Sequence, residues 1–262
     1  MEPDEEVKKV DSSAVQSWFA DQRALQHYTE AVKNVGLWRS EEKVLRQIFS
    51  PDQTLLDLGT GTGRVAFGLY EIGYDKVMGV DACRPMIQEA RHLNKLLEYR
   101  VSFRVEDAGK LSFEENLFDG VIFAFNGLMQ IPGKAERSQA VKEVFRVLRP
   151  GGHFVFTTHD RDHWRLREFF ANQARVWSEN KQDPRLREFG DNLFDSREGT
   201  IFMHLPDRDE VCSLLDENGF LLLFDAMREE IANEPSEVRN FADECRFWIA
   251  RKPDAFSEDD EC

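Results

Sequence analysis

The chain has 262 residues, 41% hydrophobic and 11% aromatic, which is enough to bury one substantial core without requiring a second full domain. Acidic residues outnumber basic ones 49 to 34, and the resulting charge of -15 disfavours nucleic acid and anionic lipid as partners. No stretch approaches the roughly 18 apolar residues of a membrane span, and Met1-Glu2-Pro3-Asp4-Glu5-Glu6 is the opposite of a signal peptide, so a cytoplasmic protein is expected.

Residues 1–12 are polar and 253–262 carry a short acidic run, so both read as flexible ends of a single domain over 13–252. Across 13–49, Trp18, Phe19, Leu25, Tyr28, Val32, Val35, Val44, Leu45 and Ile48 recur at helical spacing, broken at Gly36. An alternation of short apolar runs and helical stretches follows: strands at 54–58, 76–80, 101–105, 120–125 and 153–158, with helices at 65–72, 85–97 and 137–148. Strands this continuously apolar expect helices on both faces, hence an α/β, doubly wound, mostly parallel sheet. The charged amphipathic section 161–199 reads as a helical insertion, followed by a strand (200–205), a helix (208–218) and strands at 220–226 and 246–250. Cys83, Cys212, Cys245 and Cys262 show neither metal-ligand nor redox spacing, so free thiols and no metal site are expected.

The run Leu55-Leu56-Asp57-Leu58-Gly59-Thr60-Gly61-Thr62-Gly63 leads from a strand into glycines and a helix. Missing side chains let backbone approach a ligand, and the helix start offers free N–H groups. Such a loop serves a dinucleotide, a nucleoside or nothing. A dinucleotide fingerprint wants a glycine at the sixth place after the first, where this chain has Arg64. Asp57 sits badly beside a pyrophosphate but suits an ammonium or sulfonium. Asp81 ends the second strand, where a carboxylate accepts from ribose hydroxyls, and Asp107-Ala108 follow the third, where they suit adenine.

These residues, with Phe118-Asp119-Gly120-Val121-Ile122-Phe123-Ala124-Phe125-Asn126-Gly127 and Val147-Leu148-Arg149-Pro150-Gly151-Gly152, resemble the class I S-adenosylmethionine-dependent methyltransferases of small-molecule type. The similarity is strong over about residues 25 to 160 and loose elsewhere. It implies a Rossmann-like seven-stranded sheet, an N-terminal helical lid over 13–49 and S-adenosylmethionine as cofactor. It also implies methyl transfer to an O or N atom of a small-molecule acceptor. By the resemblance, Asp57, Gly59, Thr60 and Gly61 hold the methionine moiety. Asp81, Ala82 and Met86 surround ribose and adenine, Ala124 and Gly127 line the transfer side, and Tyr28 and Trp38 lie over the cofactor; ordinary helix packing is the alternative for the last two. Gln130 departs from the family's usual histidine, against a role there as base.

His159 follows the strand at 153–158, at the sheet end where ligands bind, and is the candidate general base; capping the next helix with Asp160 is the alternative. His163 and His204 are weaker candidates, the latter within a strand pattern. The insertion is expected to cover the acceptor pocket, offering Trp164, Phe169, Phe170, Trp177, Arg165, Arg167 and Arg175. A monomer or homodimer fits these features. Three other readings stay open at this point: a protein side-chain methyltransferase, a non-catalytic nucleoside-binding regulator and a nicotinamide oxidoreductase.

Overall fold

The computed structural model describes residues 7–196 and 199–254. Helix α1 (Ser12–Phe19) begins where the Asp11 carboxylate accepts the Ala14 N–H at 2.9 Å, and α2 (Gln22–Asn34) begins likewise on Asp21. Helix α3 (Arg39–Ile48) is capped from far along the chain. Its Arg39 and Ser40 N–H groups donate to the Glu234 carboxylate at 3.0 and 2.8 Å.

The alternation then appears as the apolar pattern predicts: β1 (Leu55–Leu58), α4 (Arg64–Glu71), β2 (Val77–Asp81), α5 (Arg84–Leu96), β3 (Ser102–Val105), β4 (Phe118–Phe123), α6 (Lys134–Val147) and β5 (Leu148–Thr158). After α7 (Arg167–Ser178) come β6 (Asp191–Ser196), β7 (Gly199–His204), α8 (Arg208–Glu217), β8 (Leu221–Met227), the short α9 (Arg228–Ile231) and α10 (Ser236–Phe241), and β9 (Arg246–Arg251).

Seven strands form one sheet in the order β3-β2-β1-β4-β5-β9-β8. Strands β1 to β5 are parallel, and β9 runs antiparallel to both β5 and β8. All residues of β1 are buried, because neighbouring side chains enter cores on opposite faces. Leu56 and Leu58 join Val121 and Phe154 on one face, while Leu55 joins Ile122 and Val155 on the other. The chain leaves β1 toward β2 on one side and returns to β4 on the other. That switch point opens a crevice beyond the carboxyl ends of β1 and β4.

The insertion differs from the expectation of a helical segment. It is helical over Arg167–Ser178, but Asp191–Ser196 pairs antiparallel with Gly199–His204 as a separate two-stranded ribbon. The strand at 200–205 therefore finds its partner just upstream instead of in the main sheet, the cheaper closure for a short loop. The ribbon is pinned by His204, whose fully buried ring lies 2.8 Å from Asp191 and 2.7 Å from Glu210. Burial resists charging the imidazole, but those two bonds outweigh it and raise its pKa. Arg137, also buried, extends the network to Glu188 at 2.8 Å.

The described part of the segment expected to be a flexible N-terminus is held down. Val10 is buried against Val15 and Phe202, and its N–H donates to the Arg185 carbonyl at 3.0 Å. One apolar side chain within a polar run suffices to anchor it on the ribbon. Residues 1–6 and most of the acidic tail, 255–262, lie outside the described residues. Cys83, Cys212 and Cys245 are free thiols, and no helix among the described residues is long and apolar enough to cross a membrane.

Candidate active site

The glycine loop joins β1 to α4 at the switch point. Gly59 and Gly61 have φ of 68° and 56°, the left-handed region that side chains resist. A Cβ at Gly59 would lie 2.6 Å from the Phe123 ring, so packing alone demands glycine there. At Gly61 nothing stands within 4 Å of such a Cβ, which would project into open space. That space belongs to a cavity of about 520 Å³. Asp57, Gly59, Thr60, Gly61, Asp81, Ala82, Met86, Asp107, Ala108, Ala124, Gly127 and Tyr28 all line it. Twelve positions read from the sequence thus converge on one cavity.

Its carboxylates are set by their neighbours. Asp57, only 1% exposed, accepts from Thr60 Oγ1 at 2.5 Å and from the Ala66 N–H at 3.1 Å, both on Oδ2. Burial pushes its pKa up to about 7, against the pull of the Thr60 bond and the Arg64 charge. Asp81 accepts the Gly61 N–H on Oδ2 at 2.9 Å and the Cys83 N–H on Oδ1 at 2.8 Å. These bonds fix the carboxylate and leave lone pairs for further donors such as ribose hydroxyls. Burial raises its pKa too. Asp107 is oriented by the Gly109 N–H at 2.8 Å.

Trp38 is not among the lining residues. It is 1% exposed and lies between the guanidinium groups of Arg64 and Arg228, 4.8 and 5.0 Å from its ring centre. Arg64 in turn forms a two-armed pair with Glu41, both contacts at 2.7 Å. The sixth-place arginine therefore joins the loop to α3, and the tryptophan packs inside that joint instead of over a ligand. Of the two lid aromatics read from the sequence, Tyr28 alone reaches the cavity.

A second cavity, of about 580 Å³, lies alongside. The two share Phe19, Tyr28, Phe125, Gln130 and Phe241 as walls. Phe125 and Phe241 stack with centroids 5.0 Å apart, and Phe241 stacks on His27 at the same distance. His159 and His163 line this second cavity. His159 Nδ1 lies 2.9 Å from the Glu244 carbonyl and Nε2 lies 3.1 Å from Asn126 Nδ2. A carbonyl only accepts, so Nδ1 carries the proton and Nε2 presents its lone pair. Burial lowers the pKa of this imidazole, although its bond to the Glu244 carbonyl opposes that. His204 serves the ribbon, as already described, and lines neither cavity.

The insertion contributes to this cavity differently from the expectation. Of the aromatics and arginines singled out there, Arg165 alone lines it. Trp164 is 62% exposed, Phe170 enters the main core and Trp177 packs edge-on against Phe189. The ribbon supplies Phe194 from the insertion and Phe202 and Met203 from the strand that follows it. Sequence reasoning also missed Phe19, Asn126 and Phe241. Asn126 had a signal, since it lies within the strand-end run Phe118 to Gly127; in the structure it and Phe125 have φ of 61° and 52°, costly for non-glycine residues.

Residues 55–152 match the family model described as a methyltransferase domain. A demethylmenaquinone methyltransferase of Bacteroides fragilis is 33% identical over 145 residues, covering 53% of this chain and 56% of that protein. A ubiquinone/menaquinone biosynthesis C-methyltransferase of Desulfotalea psychrophila is 36% identical over 103 residues, 38% of this chain and 39% of that one. This chain therefore matches about half or less of the length of these curated relatives. Among solved structures, a SAM-dependent methyltransferase from Methanosarcina mazei superposes with a TM-score of 0.66 at 24% identity, covering 81% of this chain and 98% of that one. The sheet order and the superposition show a Rossmann-like α/β fold, and residues 55–152, which hold the glycine loop and the strand-end acids, are similar to a methyltransferase domain.

Proposed function

We propose that this chain binds S-adenosylmethionine in the first cavity and transfers its methyl group to a small, flat aromatic acceptor in the second. The observation that carries this reading is the shared wall: one cavity bears the loop and acids for a cationic nucleoside, and Tyr28, Phe125 and Phe241 separate it from a cavity lined with rings. The residues fit the cofactor. Open space stands above Gly61, and Asp81 keeps lone pairs for ribose hydroxyls. Asp57 supports the amino-acid end, and Asp107 with Ala108 supports the adenine end.

When bound, S-adenosylmethionine supplies an electrophilic sulfonium methyl, so the protein has only to align the acceptor and exclude water. Helices α1 and α2 contribute Phe19 and Tyr28 to both cavities and so shield the line of transfer. An O–H or N–H acceptor must lose a proton, and neutral His159 presents a basic nitrogen for it. The names of the quinone-related relatives favour a ring acceptor as well, and one of them carries C-methylation in its name. For such a ring the same histidine would activate a phenolic O–H and so raise the nucleophilicity of the adjacent carbon.

Calorimetry tests the donor side: S-adenosylhomocysteine should bind and NADH should not, and the reverse would restore the oxidoreductase reading. A panel of phenols, hydroquinones and aromatic amines with labelled donor tests the acceptor side. Label appearing on none of them, with donor binding intact, would favour a regulatory binding module.

A further inference from the structure

Asn126 stands just beyond β4 in the wall of the second cavity, and its carboxamide is constrained from one side only. Its backbone N–H donates to Thr157 Oγ1 at 2.9 Å. Its Nδ2 faces His159 Nε2 at 3.1 Å, and the opposite ring nitrogen faces the Glu244 carbonyl at 2.9 Å. The carbonyl requires Nδ1–H, which leaves Nε2 as an acceptor in the neutral ring, so the amide must turn its NH₂ toward histidine. The cost is visible on the other atom: Asn126 is 4% exposed, and its buried Oδ1 has no hydrogen-bond partner. Two consecutive residues at positive φ, Phe125 and Asn126, hold the side chain there.

We propose that Asn126 is the positioning residue for His159, engaging the Nε2 lone pair of the Nδ1–H ring that the Glu244 carbonyl sets and offering a second satisfied arrangement once the ring takes a proton. The inference rests on the reading of His159 as the base that serves the second cavity. An entering O–H or N–H acceptor displaces the amide N–H from Nε2 and passes its proton there. The electron pair left on the acceptor forms the new bond to the methyl group, and the sulfonium electron pair stays with sulfur. The imidazolium now donates at both nitrogens. A half-turn of the Asn126 amide then brings the orphaned Oδ1 onto Nε2–H, so the oxygen unsatisfied in the resting state accepts the transferred proton's bond. The charges facing this ring are Asp243 and Glu244 from the segment before β9, and Arg228 from α9. His163 and Asp160 line the same cavity.

Nitrogen-15 NMR of the full chain, with no cofactor or acceptor added, tests this. In the native protein at pH 7, His159 should show a protonated Nδ1 and an unprotonated Nε2, and should titrate below the ordinary histidine midpoint. Asn126→Asp places a carboxylate on Nε2 and should raise that midpoint by about one pH unit or more, leaving an imidazolium at pH 7. A protonated Nε2 in the native protein at pH 7 overturns the proposal, as does a midpoint that Asn126→Asp leaves in place. If the variant does not fold, the native spectrum alone still decides the tautomer. Failure of the chain to bind S-adenosylhomocysteine would sink the methyl-transfer reading while leaving this measurement standing, so the two failures are distinguishable.

Discussion

The two cavities share a wall but are built on different principles. The first has its glycines and acids on nearby chain: β1, its loop and the ends of β2 and β3 place Asp57, Gly61, Asp81 and Asp107 within a few residues of a strand terminus. The second draws on α1, α2, the end of β4, the turn after β5, the ribbon and the segment 240–244. Its residues are brought together only by the completed fold. The first is a compact arrangement at neighbouring strand ends, and the second depends on what the insertion and the terminal helices bring. The difference is one of reach: the glycines and acids of the first cavity sit at adjacent strand ends, whereas the second cavity depends on side chains brought together from long range.

The largest expected effect breaks the donor side alone. Asp81→Ala removes the carboxylate that holds the Gly61 and Cys83 N–H groups. It should weaken S-adenosylhomocysteine by about a hundredfold or more, since each lost charge-assisted bond is worth roughly 1.5–3 kcal/mol. Calorimetry reads this directly, and unchanged affinity would remove the assigned cofactor site.

Next comes the acceptor side. Asp191→Ala strips His204 of its fully buried partner while Glu210 remains, and should cost roughly 1–3 kcal/mol in denaturant unfolding, with cofactor affinity retained. Loss of cofactor binding in this variant would show that the two sides are coupled. The pH dependence has a definite sign. His204 is raised, so its contribution is present below the ordinary histidine value and is lost as pH rises through its folded pKa. Glu210 is lowered, since its bond to His204 and the nearby charges outweigh its burial, so its contribution is lost as pH falls through its folded pKa. The ribbon should therefore hold best between those two limits.

The smallest effect sharpens the role of Asp57. With its pKa pushed up to about 7, the ligand-free protein holds this carboxyl protonated over a range where the unfolded chain ionises it. Its contribution to stability is therefore greatest at low pH and falls as pH rises to about 7. A cationic ligand favours the ionised form, so affinity for S-adenosylhomocysteine should climb as pH rises through 7, by at most about tenfold per pH unit, and then level off. A flat profile would mean that Asp57 does not meet the ligand's cation.

The sheet was legible because continuous apolar runs alternate with amphipathic helices, and most of the first cavity's lining because its signals sit at consecutive strand ends. Trp38 stayed open between a lid and helix packing because aromatic character alone does not distinguish a lid from the cation-lined slot between Arg64 and Arg228, where it lies. The ribbon was missed because β6, reading Asp191-Asn192-Leu193-Phe194-Asp195-Ser196, is too short and polar to announce a strand. What fixes it is a partner strand and a buried histidine that Asp191 and Glu210 hold from either side. His159 could be placed at the sheet's ligand end, but its tautomer depends on Glu244, far along the chain.

The central claim is transfer from the first cavity to a small molecule in the second. Incubating the chain with S-adenosylmethionine carrying an isotopically labelled methyl group and a small-molecule extract, then separating products by mass, tests it most directly. The label should appear on a low-mass aromatic compound, with S-adenosylhomocysteine formed in equal amount. Label found on protein, or label that never leaves a tightly bound donor, would contradict it.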